Sequence, residues 1–211
     1  ISAKAPYNGF NEVEYEVHVA NSLGHSCSHK ERMLSCYTYA LLEADGQQSM
    51  HFGYQVARQF QELEASACVD EAYTTARDLL KGAPIPTGQY DVIFTTDCLN
   101  DLIGAFGMCW SGQSAMKGIN PLRDKIGETI GHSTLTLIDK PEVDGGFSLK
   151  AFDSEGFETR ETPIITNGVL TGLLHNSATS SFFGLPNTAN AARGTKSALS
   201  VSPSHLCIST G

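Results

Sequence analysis

The dipeptide Asn167-Gly168 constrains the fold of this chain more than any other feature. A run rich in Thr and Ile precedes it over residues 159–166, and an apolar run follows it over residues 169–174. Asn followed by Gly is the strongest short signal for a two-residue hairpin turn, because both residues tolerate a positive φ. The sequence therefore predicts a β-hairpin with strands over residues 159–166 and 169–174.

Turn-forming and small residues flank this hairpin on both sides. Before it, Asp153-Ser154-Glu155-Gly156 predicts a tight turn in which Gly156 takes a positive φ. After it, Gly184-Leu185-Pro186 leads to the small residues of 189–193, where backbone can approach other backbone or a ligand closely. Residues 189–193 are therefore expected either to line a cavity or to pack tightly.

The first third of the chain predicts an antiparallel meander followed by a helix. Residues 12–19 alternate polar and apolar side chains, which is typical of an amphipathic strand with Val13, Tyr15, Val17 and Val19 on one face. Two more strands are predicted over residues 35–42 and 50–56, separated by the hairpin signal Asp45-Gly46. Residues 61–81 carry apolar side chains at helical spacing: Leu63, Val69, Ala72, Tyr73, Ala76, Leu79 and Leu80.

Residues 83–88 contain two prolines and predict a boundary between two domains, 1–83 and 84–211. Beyond it the sequence predicts strands over 91–95 and 135–138 and loops over 111–120 and 141–146. It also predicts a helix over 97–110, capped by Thr96 or Asp97, with an apolar face of Leu99, Leu102, Ile103, Phe106, Cys109 and Trp110. The predicted fold class is α+β. An antiparallel, sheet-rich first domain ends in a helix, and a larger sheet-rich domain follows, with the 97–110 helix packed against it.

Composition excludes several classes of function. The formal net charge of −9, with scattered Lys and Arg, disfavours direct binding to nucleic acid, which needs a basic surface. No apolar run approaches the roughly 20 residues that cross a bilayer. The six cysteines form no C-x-x-C pair, which favours reduced thiols in a cytoplasmic protein over a disulfide framework. The chain begins at Ile1 without Met, so a processed chain or a fragment is expected.

Catalytic motifs are scarce in the sequence. It contains no G-x-S-x-G elbow, no P-loop and no G-x-G-x-x-G, so neither a serine hydrolase nor a nucleotide cofactor is indicated. Asp153 and Glu155 could form an acid/base pair, but carboxylates two residues apart beside Gly are more often turn formers. His25 and His29, with Cys27, could hold a metal only if their segment were helical, and its pattern is that of a strand and a turn. His132, which follows Glu128, is expected to be a turn or surface residue.

Four short motifs occur in a characteristic order: Phe152-Asp153-x-Glu155-Gly156, Thr159-Arg160, Ile165-x-Asn167-Gly168-Val169-Leu170 and Thr188-x-Asn190-Ala191-x-Arg193. Their order and spacing resemble the TldD/PmbA family, and its PmbA (TldE) branch more than its TldD branch. The resemblance covers roughly the whole chain, as a middle domain and a C-terminal domain that is truncated at its end. It implies that the motif residues either line a peptide cavity or are structural: Phe152, Asp153, Glu155, Gly156, Asn167, Gly168, Thr188, Asn190, Ala191 and Arg193. The chain departs from the family at Ala189, where Gly is usual.

A second departure concerns the metal site. In the TldD branch, the helix that corresponds to residues 97–110 carries His-Glu-x-x-x-His, which holds a metal ion and supplies a general base. Here Gly104 and Ala105 stand where the first His and the Glu would be, and Cys109 where the second His would be. The resemblance therefore implies no catalytic residue, metal or cofactor in this chain, and zinc in a TldD-like partner.

The function that the resemblance implies is that of a PmbA/TldE-like subunit of a cytoplasmic peptidase complex. The complex would act on unfolded or leader-type peptides, and this chain would pair with a TldD-like subunit or with itself. Family members have also been described as modulators of DNA gyrase, although the acidic charge argues against direct contact with DNA. A non-catalytic homodimer that binds peptides or proteins is the alternative. A metal hydrolase that uses His132, His175 or His205 is a third hypothesis. Whether the chain is an enzyme therefore stays open.

Overall fold

The structure is a computed structural model that describes residues 1–143 and 148–209. These residues form two compact units, one of residues 1–16, 30–91 and 148 and the other of residues 17–29, 92–143 and 149–209. Antiparallel sheets and α-helices make up both units, which confirms the predicted α+β class. The domain boundary at residues 83 and 84 stays a prediction, and the predicted loop over 141–146 lies outside the described residues from 144 onward.

The first unit is built on an antiparallel sheet with a long central strand. Its strands are β1 (Ser2–Lys4), β2 (Asn8–Ala20), β3 (Ser26–Ala44) and β4 (Gln47–Ala57), of which residues 17–20 and 26–29 are grouped with the second unit, and β1, β2 and β4 all pair with β3. The predicted Asp45-Gly46 turn joins β3 to β4, and both residues take a positive φ, 51° and 74°. The predicted meander is confirmed, although each strand is longer than expected. Val13, Tyr15 and Val17 of the predicted apolar face are 46%, 41% and 42% exposed.

Helix α1 (Ala65–Leu79) packs on β4 and follows a short 3₁₀ helix, Phe60–Glu62. Its buried residues are Cys68, Ala72 and Ala76, whereas Val69, Tyr73 and Leu79 of the predicted apolar face are exposed. That part of the prediction was wrong because the helix lies very close to the sheet. A Cβ on Gly53 of β4 would lie 2.0 Å from the carbonyl oxygen of Cys68, so only small side chains fit between them.

The second unit contains an antiparallel sheet in the order β10-β5-β6-β7. Its strands are β5 (Leu137–Lys140), β6 (Thr162–Thr166), β7 (Val169–Leu170) and β10 (His205–Ile208), and a separate pair joins β8 (Ala191–Ala192) to β9 (Ser200–Val201). The predicted strand over 135–138 is found two residues later, as β5. The buried core of this unit comprises Cys109, Trp110, Leu137, Ile164, Ile165, Leu170 and Leu174.

The predicted hairpin is confirmed as β6 and β7, although β7 is shorter than expected. Asn167 and Gly168 take φ values of 48° and 79°, as a type I′ turn requires. The turn is also packed tightly, because a Cβ on Gly168 would lie 2.4 Å from the carbonyl oxygen of Gly131. Gly168 is therefore required both by its backbone conformation and by its neighbours.

The described residues of the second unit include the α-helices α2 (Thr96–Ala105), α3 (Gly112–Met116) and α4 (Ser177–Phe183). The predicted helix over 97–110 was too long, because α2 ends at Ala105 and a 3₁₀ helix, Gly107–Trp110, follows it. Thr95 caps α2 by accepting the Cys98 N–H, not Thr96 or Asp97. The predicted loop over 111–120 contains α3. No helix in the part of the chain that the structure describes is long and apolar enough to cross a bilayer.

Helix α2 was expected to pack against its domain, but none of its residues is buried. Of the predicted apolar face, only Cys109 and Trp110 enter the core, and both lie in the 3₁₀ helix. The strand predicted over 91–95 is also absent, since these residues take no regular structure. Their apolar side chains had suggested a buried strand, but Ile93 is 97% exposed and no neighbouring strand covers it within the described residues.

Candidate functional site

Asp153 is the centre of a buried polar network in the second unit. Its Oδ1 accepts the N–H groups of Glu155 at 2.9 Å and Phe157 at 3.0 Å, and its Oδ2 accepts the N–H of Ala191 at 3.0 Å. The side chain is 1% exposed. Asp153 therefore forms the turn over 153–156 and also ties that turn to the small-residue run, two segments that are distant in sequence.

Asn190 makes the second connection of this network. Its Nδ2 donates to Oδ2 of Asp139 at 2.6 Å, while its Oδ1 accepts the Thr188 hydroxyl at 2.7 Å. Asp139 also accepts the N–H of Ser204 at 2.6 Å through Oδ1. We refer to Asp139, Asp153, Thr188, Asn190 and Ala191 as the motif network. The network joins β5, the turn over 153–156 and the entry to β8.

Burial shifts the pKa of two ionisable side chains in this region, Asp139 and Lys150, toward their neutral forms. Desolvation raises the pKa of Asp139, although its hydrogen bonds from Asn190 and Ser204 act against the rise. Desolvation also lowers the pKa of Lys150, and the negative charges of Asp139 and Asp153 oppose that change. Lys150 thus supplies positive charge near two buried carboxylates, which reduces the cost of burying them.

Helix α4 attaches to the network through its first turn. The N–H of Ser177 donates to Oε2 of Glu155 at 2.9 Å, and Asn176 caps the helix by accepting the Thr179 N–H at 3.0 Å. The carbonyl of His175 accepts the Asn190 N–H at 3.1 Å. Sequence reasoning missed α4, but Asn176-x-x-Thr179 followed by Gly184, which has a φ of 66°, carries the signals of a helix start and stop.

His175 is a buried histidine beside this network. Its side chain is 3% exposed, its Nδ1 lies 3.2 Å from the Thr179 hydroxyl, and its ring contacts the edge of Phe183. No protein atom within residues 1–143 and 148–209 hydrogen-bonds to its Nε2. Burial lowers the pKa of His175, so the neutral imidazole is favoured.

The predicted site residues therefore divide into two groups. Asp153, Thr188, Asn190 and Ala191 meet in the motif network, and Glu155 and Gly156 belong to the turn that Asp153 forms. The others lie apart from it: Asn167 and Gly168 form the hairpin turn, Arg193 is exposed, and half-buried Phe152 is bridged to Glu158. Whether any of them lines a peptide cavity stays a prediction. In the network, backbone N–H groups occupy the oxygens of Asp153, an arrangement that holds loops in place.

Two residues next to the motif network, Ala189 and Gly156, take a positive φ. Ala189 takes a φ of 59° and is 1% exposed, which accounts for the Gly that the resembled family usually has at this position. Gly156 takes a φ of 88°, as predicted, and its carbonyl lies 2.9 Å from Nε2 of His25. A Cβ on Gly156 would lie 2.5 Å from that nitrogen, so a larger residue would displace the imidazole.

The residues at the expected metal positions do not fit a zinc site. Gly104 and Ala105 offer no ligand atom, and Cys109 lies beyond the end of α2, buried in the core, where desolvation raises its pKa. Within residues 1–143 and 148–209, no three His, Cys, Asp or Glu side chains are grouped so that they could hold a metal ion. His29 lies on a strand, and His132 and His205 hydrogen-bond to Thr134 and Lys140 respectively.

Apolar side chains are exposed in each of the two units. In the second unit, Val92, Ile93 and Phe94 form an exposed apolar segment that precedes α2. In the first unit, aromatic side chains line a cleft of about 590 Å³ on the face of the sheet that α1 does not cover. The residues of this aromatic cleft are Tyr7, Tyr37, Tyr39, Met50, Phe52 and Tyr54.

The two units and their motifs define an α+β protein related to metallopeptidases. Residues 2–80 match the family model of the PmbA/TldA metallopeptidase central domain, and residues 87–211 match that of the PmbA/TldA metallopeptidase C-terminal domain. The chain belongs to this family, and the assignment made from the four motifs is confirmed.

Individual relatives agree with this assignment. The chain is 35% identical over 114 residues to a metalloprotease of Methanothermobacter thermautotrophicus, which covers 54% of this chain and 25% of that protein. It is 28% identical over 167 residues to the metalloprotease PmbA of Escherichia coli O157:H7, covering 78% of this chain and 36% of that protein. A Thermotoga maritima structure, described as a proposed modulator of a DNA gyrase, superposes with a TM-score of 0.88 and 27% identity. That superposition covers 96% of this chain and 46% of the other, so the chain spans less than half the length of these relatives.

Proposed function

We propose that this chain acts as a PmbA/TldE-type subunit of a cytoplasmic peptidase complex. In this proposal a TldD-like partner supplies the zinc ion and the general base. The present chain contributes binding surface and helps to enclose an unfolded or leader-type peptide. The proposal rests on family membership together with the chemistry of α2.

The observation that carries the proposal is the helix at the expected metal position. Gly104 and Ala105 have no side-chain atom that could bind zinc or accept a proton from water. The polar groups that the family motifs do bring together, Asp153 and Asn190, are buried and engaged with other parts of the chain. In this proposal, the ligands for this type of chemistry come from the TldD-like partner.

The exposed apolar segment supports a role in assembly or peptide binding. Val92, Ile93 and Phe94 are 63%, 97% and 53% exposed, and this stretch leads directly into a helix with no buried residue. Contiguous exposed apolar side chains are costly in water and commonly mark interaction surfaces. A segment outside the regular elements can also add to another strand through its main chain, which suits substrates of varied sequence.

The test is co-purification of the full-length protein with its partner from the source cells. A partner that carries His-Glu-x-x-x-His is expected, with zinc in the complex and chelator-sensitive cleavage of an unfolded polypeptide such as casein. The chain by itself should contain no stoichiometric zinc and should not cleave the substrate. Stoichiometric zinc and chelator-sensitive cleavage in the chain alone would overturn the assignment.

Paired variants make this test more specific. Ile93→Glu places a charge in the exposed apolar segment and should reduce recovery of the partner at least tenfold. Leu23→Glu is the matched control, because Leu23 is 92% exposed at the turn between β2 and β3. Equal loss of the partner in both variants would show that the segment has no particular role.

A non-catalytic homodimer that binds peptides or proteins is the second candidate, and the aromatic cleft favours it. Tyr7, Phe52 and Tyr54 expose large apolar surfaces around a cleft of about 590 Å³, which is the size of many ligand sites. Recovery of the protein only with itself, together with peptide binding and no cleavage in any preparation, would favour this candidate. A Tyr54→Ala variant should then lose peptide affinity.

A further inference from the structure

Two cysteines of the first unit lie side by side between the sheet and helix α1. The Sγ atoms of Cys36, on β3, and Cys68, on α1, are 3.5 Å apart, although the residues are separated by 32 positions in the sequence. The Cys68 thiol also lies 3.7 Å from the carbonyl oxygen of Cys36. Formation of a disulfide would bring the two sulfurs to about 2.0 Å, which needs a shift of roughly 1.5 Å.

The packing at Gly53 explains this proximity. Gly53 pairs with Thr38 on the neighbouring strand, two residues from Cys36. A Cβ on Gly53 would lie 2.0 Å from the oxygen and 2.8 Å from the Cα of Cys68, so the helix backbone rests directly on the sheet. No bulky side chain separates the two thiols, and the elements that carry them cannot easily move apart.

The pair is also open to small molecules from one side. A cleft of about 510 Å³ is lined by both cysteines and by apolar side chains that include Phe10, Phe60 and Leu63. Cys36 is half-buried, whereas Cys68 is only 2% exposed. Burial raises the pKa of the Cys68 thiol to about 11, so Cys68 remains protonated near neutral pH. Cys36 is therefore the sulfur that an oxidant meets first.

We propose that Cys36 and Cys68 form an oxidation site at which a peroxide produces an intramolecular disulfide. The Cys36 thiolate attacks one oxygen of hydrogen peroxide, the O–O bond breaks, and a sulfenic acid and hydroxide form. The Cys68 sulfur then attacks the Cys36 sulfur, loses its proton, and displaces the second hydroxide. Protons from the two thiols convert both hydroxides to water. Two electrons pass from the thiols to the peroxide, and a thiol reductant reverses the change.

The disulfide would connect the central strand of the sheet to α1 across a long loop. A covalent link of this kind restricts the conformations of the unfolded chain, and it therefore stabilises the folded unit. The link also fixes α1 on one face of the sheet whose other face carries the aromatic cleft. We expect the oxidised protein to unfold at a temperature higher by roughly 10 °C than the reduced protein.

The experiment uses the Cys98→Ser chain, because Cys98 is exposed and would react with peroxide by itself. Removing one of six cysteines leaves five thiols, and dilute peroxide should consume two of them. Proteolysis without reductant, followed by mass spectrometry, should identify a peptide pair joined through Cys36 and Cys68. The melting temperature should rise and return to its starting value after reduction.

Two further variants separate this pair from other oxidation chemistry. Adding Cys36→Ser or Cys68→Ser should abolish both the cross-linked peptide and the rise in melting temperature. Peptide mapping of the Cys98→Ser chain decides the question even if these variants fold poorly. Oxidation of Cys36 only to sulfinic acid, or disulfides only between molecules or through other cysteines, would overturn the proposal.

Discussion

The helix–sheet contact of the first unit and the motif network of the second both contain fully buried residues, but different forces hold them. At the first, Ala72 and Ala76 of α1 lie against a sheet in which Gly53 has no side chain. At the second, Asp153 and Asn190 replace apolar packing with hydrogen bonds between distant loops. The stability of the first region therefore depends on how closely the helix and sheet can approach. The stability of the second depends on every hydrogen-bonding group having its partner.

The largest expected effect comes from removing the centre of the motif network. Asp153→Ala removes the acceptor of three N–H groups, that of buried Ala191 and those of Glu155 and Phe157, which are only partly buried. An unsatisfied buried group costs about 1–3 kcal/mol and a partly exposed one costs less, so we expect the free energy of unfolding in urea to fall by about 3 kcal/mol. Asp124→Ala removes an exposed carboxylate and should change it by less than about 0.5 kcal/mol. Similar losses in both variants would show that the network has no special role.

The next effect tests the helix–sheet contact of the first unit. Gly53→Ala adds a single methyl group that would meet the backbone of Cys68, so α1 must move away from β4. Overpacking of this kind costs about 1–3 kcal/mol. Gly107→Ala is the matched control, since a Cβ there meets nothing within 4 Å. Urea unfolding of both variants measures the difference, and an unchanged Gly53→Ala protein would contradict the tight contact.

The third effect depends on pH and arises beside the network. Burial lowers the pKa of His175 below its ordinary value of 6.5, so the unfolded chain binds this proton more readily than the folded chain. The contribution of His175 is therefore fully present above pH 6.5 and is lost as the pH falls through the lowered pKa. The raised pKa of Asp139 acts with the opposite sign, since its contribution is lost as the pH rises through that pKa.

A variant isolates the histidine from the other titrating groups. Free energies of unfolding for the protein and for His175→Leu should diverge in their pH dependence as the pH falls from about 7 to about 5. The variant should lose less stability than the unchanged protein over this range. His132→Leu removes an exposed imidazole and controls for the loss of one histidine. Identical pH dependence in the protein and the His175→Leu variant would contradict this account.

The smallest effect is a gain in stability at α2. Gly104 lies inside this helix and a Cβ there meets nothing within 4 Å, so Gly104→Ala should stabilise it by about 0.5–1 kcal/mol. Gly24→Ala provides the contrast, because the site is equally open but its φ of 87° strains an alanine by about 1 kcal/mol. The melting temperature should rise for Gly104→Ala and fall for Gly24→Ala. A lower melting temperature for Gly104→Ala would mean that this position needs its glycine for another reason.

Local signals in the sequence predicted local structure well. Asn167-Gly168 and Asp45-Gly46 both form turns with two positive φ values, because the requirement lies in the residues themselves. The spacing of apolar residues also predicted that α1 is a helix, and Ala72, Ala76 and Leu80 of the predicted apolar face are buried. The larger residues Val69, Tyr73 and Leu79 are exposed instead, because Gly53 on β4 brings the sheet so close that only small helix side chains fit.

Signals that depend on distant partners failed more often. The apolar residues of 91–95 suggested a strand, yet a strand needs a neighbour, and none covers this stretch within the described residues. Resemblance to a family selected Asp153 and Asn190 as candidate site residues, and their role in peptide binding stays a prediction. Asp139, which accepts from Asn190, and Ser204, which donates to Asp139, were not selected, because nothing in the sequence indicates which distant groups meet.

The sequence by itself determined the hairpins, the α+β class and the family of this protein, because turn preferences, side-chain alternation and motif order are properties of short segments. Only the tertiary structure decided that Asp153 and Asn190 bind loops together and that Cys36 meets Cys68. These contacts join residues between 32 and 51 positions apart. The energy that forms them comes from burial, which exists only when the whole unit has folded.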